Sequence, residues 1–294
     1  MDNNYILSCE STIDLPYSYT KENNLSIIYY TYAIDGEEFI DDMGKNPDSL
    51  TNFYEALKTK VPSTSQINIY RYLDYFEELL EKGDVVHVAF GSGMTPSIHN
   101  ARQAAQQLKE KFPDRKIIVL DSYCSSSGYG LLVDACVDLR DNGASMEDIR
   151  DFVNANGKKV QHQFFSTDLK YLKRGGRVSG PAATIGSVLG ICPTMRLDNS
   201  GHIFAYGKVR GKKSALKEMI NAMINKASNG VNYNGKVFIS HSSSLADALE
   251  LKRMIVEIFP NINGEVRISD IGTIIASHTG PGTLALFFFG EERE

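Results

Sequence analysis

Short apolar runs alternate with amphipathic stretches through the first half of the chain. Residues 5–8 (YILS), 25–34 (LSIIYYTYAI), 84–90 (DVVHVAF) and 116–122 (KIIVLDS) are β-branched or aromatic and almost unbroken in hydrophobicity. That is the pattern of strands buried on both faces. Between them the apolar period lengthens to that of a helix. Ile69, Leu73, Phe76 and Leu80 share one face of a run that Gly83 closes. Ile98, Ala101, Ala105 and Leu108 do the same after the third strand, and Leu132, Cys136 and Leu139 in the stretch ending at Gly143. Ser145 and Asp148 stand at capping-box spacing before a further helix that stops at Gly157. The alternation predicts a parallel sheet covered by helices.

Beyond residues 157–162 the texture changes. Residues 161–167 (QHQFFST) are strand-like, and 190–209 form a hairpin pattern around Asp198-Asn199-Ser200-Gly201. A helix over 214–228, a strand over 235–242, a helix over 245–259 and two last strands complete the chain. This order predicts a smaller α+β sandwich. Neither repeats nor low-complexity tracts interrupt it.

Composition narrows the function. With 294 residues and 42% hydrophobic content, the chain can build one large domain or two ordinary ones. A net charge of −5 argues against non-specific nucleic-acid binding. Cys9, Cys124, Cys136 and Cys192 form no C-x-x-C pair and are expected as reduced thiols, neither a disulfide frame nor a zinc site. The acidic start MDNNYILSCE lacks a basic leader, and no apolar run reaches the roughly 18–20 residues of a membrane span. A cytoplasmic location is expected.

Four segments offer chemistry, each beside a plainer structural reading. Ser63, Thr64 and Ser65 in VPSTSQ are either hydroxyl donors to a ligand or a helix N-cap. Ser92 in FGSGMTPS sits where a parallel strand feeds a helix, the edge at which α/β sheets hold ligands, or in an ordinary loop. Phe90 two residues before it excludes a nucleophile elbow. Lys173, Arg174 and Arg177 surround a Gly-Gly pair in YLKRGGRVSG, either a solvated charge run or a close backbone approach. GKVRGKKS fails as a P-loop, having three residues between its glycines instead of four. His87, His99, His162, His202 and His241 show no metal-binding spacing. Finally, in SHTGPGTLALFFFG, His278 and Thr279 meet a Pro-Gly turn whose amides can favour an anion. Leu284, Leu286, Phe287, Phe288 and Phe289 follow, as an apolar wall or as a plain buried strand.

Taken in order, ESTIDLP, PSTSQ, FGSGMTPSIHNA, LDSYCSSSGYG, LKYLKRGGRVSG, KVRGKKSAL and SHTGPGTLALFF resemble the DegV family of bacterial fatty-acid-binding proteins across essentially the whole chain. The resemblance implies a Rossmann-like α/β domain over 1–160 and an α/β sandwich domain over 161–294, with a long-chain acyl tail such as palmitate buried between them. It implies a carrier and not an enzyme, with no cofactor or metal. The carboxylate-binding positions carry over to Thr64, Ser92 and His278, with Arg177 in support and Ser63, Ser65 and Thr279 beside them. Some members are the acyl-carrying subunit of a fatty acid kinase, so a kinase partner is implied. Arg210 and Lys212 on the basic turn are the candidate docking residues. The chain departs from the family pattern in Glu10 for the opening aspartate, Gly91 for the first serine of a Ser-Ser pair, and Thr95-Pro96-Ser97 for Ser-Gly-Thr.

The physics of such a ligand is demanding. Each buried methylene contributes about 0.8 kcal/mol, whereas a buried carboxylate without partners cancels several kcal/mol. The site must therefore offer hydroxyl or imidazole donors at its mouth and a dry wall behind. The other reading is an acyl- or phosphoryl-processing enzyme with Ser92 or Thr64 as nucleophile and His278 as base.

Overall fold

The computed structural model describes residues 5–179 and 190–294. The first part contains β1 (Tyr5–Glu10), α1 (Tyr17–Glu22), β2 (Ser26–Ile28), β3 (Thr31–Ile34), β4 (Glu37–Ile40), α2 (Pro47–Leu57), β5 (Ser63–Ser65), α3 (Ile69–Leu80), β6 (Asp84–Ala89), α4 (Ser97–Lys111), β7 (Ile117–Asp121), α5 (Ser126–Asp141) and α6 (Met146–Asn156). The second contains β8 (Val160–Ser166), α7 (Lys170–Gly175), β9 (Val178–Ser179), β10 (Ile191–Leu197), β11 (Ile203–Arg210), α8 (Lys212–Lys226), β12 (Phe238–His241), α9 (Leu245–Ile258), β13 (Arg267–Asp270), α10 (Thr273–Thr279) and β14 (Thr283–Phe289).

The predicted parallel sheet is present, in the order β2-β1-β6-β7. Leu7, Cys9, Val85, Val86 and Val88 are fully buried in it, because helices cover both faces. The apolar run 25–34 is not one strand. β2 stays in the parallel sheet, while β3 joins β4 and β5 in a separate three-stranded antiparallel sheet. The break at Tyr29-Tyr30 is held by bonds outside any ladder. The Tyr30 N–H donates to Ser11 Oγ, its carbonyl accepts the Asp41 N–H, and Arg71 donates to the Tyr29 carbonyl.

A seven-stranded mixed sheet, in the order β13-β12-β14-β8-β10-β11-β9, forms the second layer. The predicted hairpin closes at Asp198–Gly201, where Gly201 takes φ 82° and donates to the Asp198 carbonyl. β8 and β14 are central, and their side chains alternate between two cores. Phe165, Leu284, Leu286 and Phe288 pack under α8 and α9, whereas Phe164, Ala285 and Phe287 join the core of the first sheet.

α5 lies between the two layers, packing on β8, β12 and β14. Its sequence predicts one buried stripe, but from Ser126 to Val133 every residue is buried. A Cβ on Gly128 would collide with His162 Nε2 and the Phe287 ring, and one on Gly130 would lie 2.6 Å from the Ile13 carbonyl. Two glycines in a helix are unfavourable by propensity, and close packing on opposite sides requires them here. Leu139, expected inward, is only half-buried. Gly128→Ala should destabilise the protein by about 1–3 kcal/mol through overpacking, despite the gain in helix propensity. Urea unfolding measures it, and unchanged stability would show that the two layers can separate without cost.

Candidate functional site

α10 is absent from the sequence reading, which places His278 in a loop. The helix spans only seven residues, and its first turn is secured from elsewhere in the chain. The Gly272 N–H donates to Asp14 Oδ1 at 3.0 Å, and Thr273 Oγ1 donates to Asp41 Oδ1 at 2.9 Å. Carboxylates at a helix N-terminus are favourable. His278 stands on the last turn, and Gly280, at φ 69°, ends the helix where any Cβ would strike the Tyr171 ring. The amides expected to bind an anion at this turn are already engaged. Gly280 N–H donates to Ala276 and Gly282 N–H to Ser242.

His278 Nε2 lies 2.8 Å from Thr64 Oγ1, joining residues 214 apart in sequence. Thr64 is on β5, paired with Tyr32, so the Ser-Thr-Ser segment is a strand and not a helix cap. The glycines of the Lys-Arg-Gly-Gly-Arg run make this geometry possible. A Cβ on Gly175 would stand 2.6 Å from His278 Nδ1, while Gly176, at φ 65°, turns the chain so that Arg177 reaches the same cavity. Burial, followed by Arg177 and Arg174, lowers the His278 pKa to about 4. The imidazole is therefore neutral at physiological pH.

These groups form the polar mouth of a cavity of about 290 Å³. Thr64, Ser65, Gln66, His278 and Arg177 line it together with Tyr30, Phe90, Leu172, Ile274 and Ile275. Beyond it a narrower space of about 40 Å³, lined by Phe164, Leu197, Ala285 and Phe287, shares Ser125, Ile203, Ile275 and Thr279 with the first. Polarity thus falls from an exposed arginine to a buried phenylalanine. Two hydroxyls in the wall, Tyr30 Oη and Thr279 Oγ1, are buried without a hydrogen-bond partner; such groups normally have one.

The site differs from expectation in several residues. Ser63 is exposed, and neither it nor Ser92 lines the cavity. The loop beginning at Gly91 contributes Met94, Thr95 and Pro96 instead, and the Ser92 N–H donates to Asp121 Oδ1. Gly91 could not be serine without rearrangement, since its Cβ would sit 2.7 Å from the Cys124 carbonyl oxygen. Gly93 packs against the backbone of Gly201. Only Ala285 and Phe287 of the aromatic run reach the inner space, because alternate residues of β14 face the other core. Glu10 is fully buried and accepts from Tyr72 Oη (2.6 Å) and the Phe90 N–H (3.1 Å), so it fixes Phe90 at the cavity wall. The sequence reading missed His162 as a wall residue. Its Nε2 accepts the Ser125 N–H, and burial, with Arg293 nearby, lowers its pKa to about 3. The serine cluster before α5 was the available signal.

Two layered sheets around a cavity with polar and apolar walls define an α/β protein with a candidate small-molecule site. The chain belongs to the DegV family, whose model, described as an uncharacterised protein of that family, matches residues 7–291. A DegV domain-containing protein of Clostridium perfringens is 34% identical over 293 residues, 99% of each chain. A fatty-acid-binding DegV family protein of Thermus thermophilus is 24% identical, covering 98% of this chain and 99% of that one, with a TM-score of 0.84. The B3 protein of Streptococcus pneumoniae fatty acid kinase, solved with linoleic acid, is 19% identical over 98% of this chain and 100% of that one, with a TM-score of 0.83. These structural likenesses establish the shared fold.

Because the folded-state pKa of His278, about 4, lies below the ordinary 6.5, the unfolded chain takes up a proton first as pH falls. Stability is lost between roughly pH 6.5 and pH 4. His278→Gln should lose less melting temperature than the parent between pH 7 and pH 4.5. Equal losses would mean that the imidazole is not held neutral.

Proposed function

We propose that the protein binds a long-chain fatty acid, its carboxylate at the Thr64–His278 end and its tail in the apolar depth, for lipid transport or for presentation to a fatty acid kinase. The observation that carries this reading is the polarity gradient across two adjoining cavities that share Ser125, Ile203, Ile275 and Thr279. Thr64, Arg177 and neutral His278 stand at the open end, with Ile274, Ile275 and Phe287 behind. The unpartnered hydroxyl of Thr279 adds a donor, and the nearby arginines favour an anion. The family and the fatty-acid-bound relatives support the same ligand. Ser92 has no lining contact, so Thr64, His278, Thr279, Ser65 and Arg177 are the headgroup candidates.

The Thr64–His278 hydrogen bond is also the arrangement of a nucleophile and its base. A third group to orient the base is what the enzyme reading would require; the side of the ring at Nδ1 faces the Gly175 backbone instead. Native mass spectrometry of protein purified from cells separates the readings. Free long-chain acid released on denaturation supports the carrier, and a covalent acyl or phosphoryl adduct supports the enzyme.

Titration with saturated acids of increasing length should show affinity rising by up to about 0.8 kcal/mol per methylene before reaching a plateau. Thr64→Ala should weaken binding by about 1–2 kcal/mol with little change in melting temperature. A response flat in chain length would defeat the acyl cavity, and unchanged affinity in Thr64→Ala would remove that hydroxyl from the headgroup site.

For a kinase partner, Arg210 is exposed at the end of β11, whereas Lys212 is held at 2.7 Å by Asp247. Arg210 is thus the stronger docking candidate of the two. Arg210→Glu should slow acyl-phosphate formation by a partner kinase at low salt and leave fatty-acid binding intact. Equal turnover would exclude this docking face.

A further inference from the structure

A second cavity, of about 470 Å³, opens beside the start of α10, away from the site already described. Asp14, Asp41, Asp42 and Asp270 line it, and none of its lining residues is Lys or Arg. Asp42 already caps its own turn, accepting from Gly44, Asn46 and Ser49. Asp14 is engaged as well, accepting from Ser126 Oγ and the Gly272 N–H, whereas Asp41 leaves an acceptor open. Asp41 is 2% exposed, and its Oδ2 has no hydrogen-bond partner. His241 is 6% exposed, and its Nδ1 is likewise unpartnered, with Asp270 Oδ1 standing 3.5 Å away. Buried polar groups normally find partners. Burial lifts the Asp41 carboxyl to about 6 and Asp14 well above the usual carboxylate range.

The remaining wall is apolar. Leu15, Met43 and Ile268 line it, with Leu249 at its edge, and Leu245 and Leu249 of α9 are each 53% exposed. Acid within low-dielectric walls focuses a negative potential. Among the described residues no three carboxylate, imidazole or thiol groups converge as a metal ion requires. The ligand this wall fits therefore has a charged head and an apolar stem.

We propose that this cleft binds an organic cation, an ammonium or guanidinium group on a short apolar stem, with its charge against Asp41 and Asp270 and its stem against Leu15, Met43 and Leu249. The site is independent of the fatty-acid reading. Calorimetry with n-butylguanidinium chloride tests it, with neutral n-butylurea as the shape match and calcium chloride as the inorganic cation. Butylguanidinium should bind saturably and at least about tenfold more tightly than butylurea, the scale of a charge-assisted hydrogen bond. Asp270 has a 58% exposed side chain, so Asp270→Asn and Asp270→Lys should melt like the parent. The first should weaken binding about three- to tenfold, and the second, which supplies its own ammonium, should abolish it. Equal binding of butylurea, tighter binding of calcium, absence of saturable binding, or full affinity in Asp270→Lys would each overturn the proposal. Acetyl-leucyl-arginine amide distinguishes the source of the cation. Tighter binding than butylguanidinium indicates a side chain of a partner protein and weaker binding a free small molecule, and both support the cation site.

Discussion

The carboxylate of Asp14 joins three distant parts of the chain. It accepts from Ser126 Oγ at the start of α5 and from the Gly272 N–H at the start of α10, while its own backbone, in the left-handed region at φ 47°, turns the chain away from β1. This contact ties the start of α5 to the start of α10. α5 separates the two sheets, and α10 carries His278 to Thr64. A buried acid so engaged is costly to leave unpaired, so the register between the layers is specified by polar contacts as well as by apolar burial.

The candidate headgroup site uses neutral donors more than charge. Neutral His278, the Thr64 hydroxyl and the unpartnered Thr279 hydroxyl can meet an anion without placing a full positive charge in the buried wall. Arg177 lines the cavity yet stays exposed to water, as does Arg174, and the field of both reaches His278. This division lets one cavity hold a polar end and an apolar end without a fixed buried charge.

Where local pattern and packing agree, the elements were legible in the chain. The parallel strands read at 5–8, 84–90 and 116–122, the capping box at Ser145 and Asp148, and the hairpin closed at Gly201 form as read, because their determinants lie within a few residues. Thr64, Arg177 and His278 line one cavity, with Thr64 and His278 in hydrogen-bond contact. Ser92 does not line that cavity, and the glycines on either side of it pack on Cys124 and Gly201.

Alternation, caps and turn residues set out most strands and helices, and the order of hydroxyl, basic and histidine motifs marked the region of the site. Tertiary structure decided what depends on partners far along the chain. α10 forms although its sequence offers no cap, because Asp14 and Asp41 supply one. The run 25–34 divides between two sheets because Ser11 and Asp41 take the backbone groups of Tyr30 out of a ladder. Gly128, unfavourable in a helix by propensity, and Gly175, where a close backbone approach is one reading, admit His162 and His278 to the backbone. A residue's local propensity is a property of its neighbours in sequence, but close approach is a property of whatever the fold brings beside it.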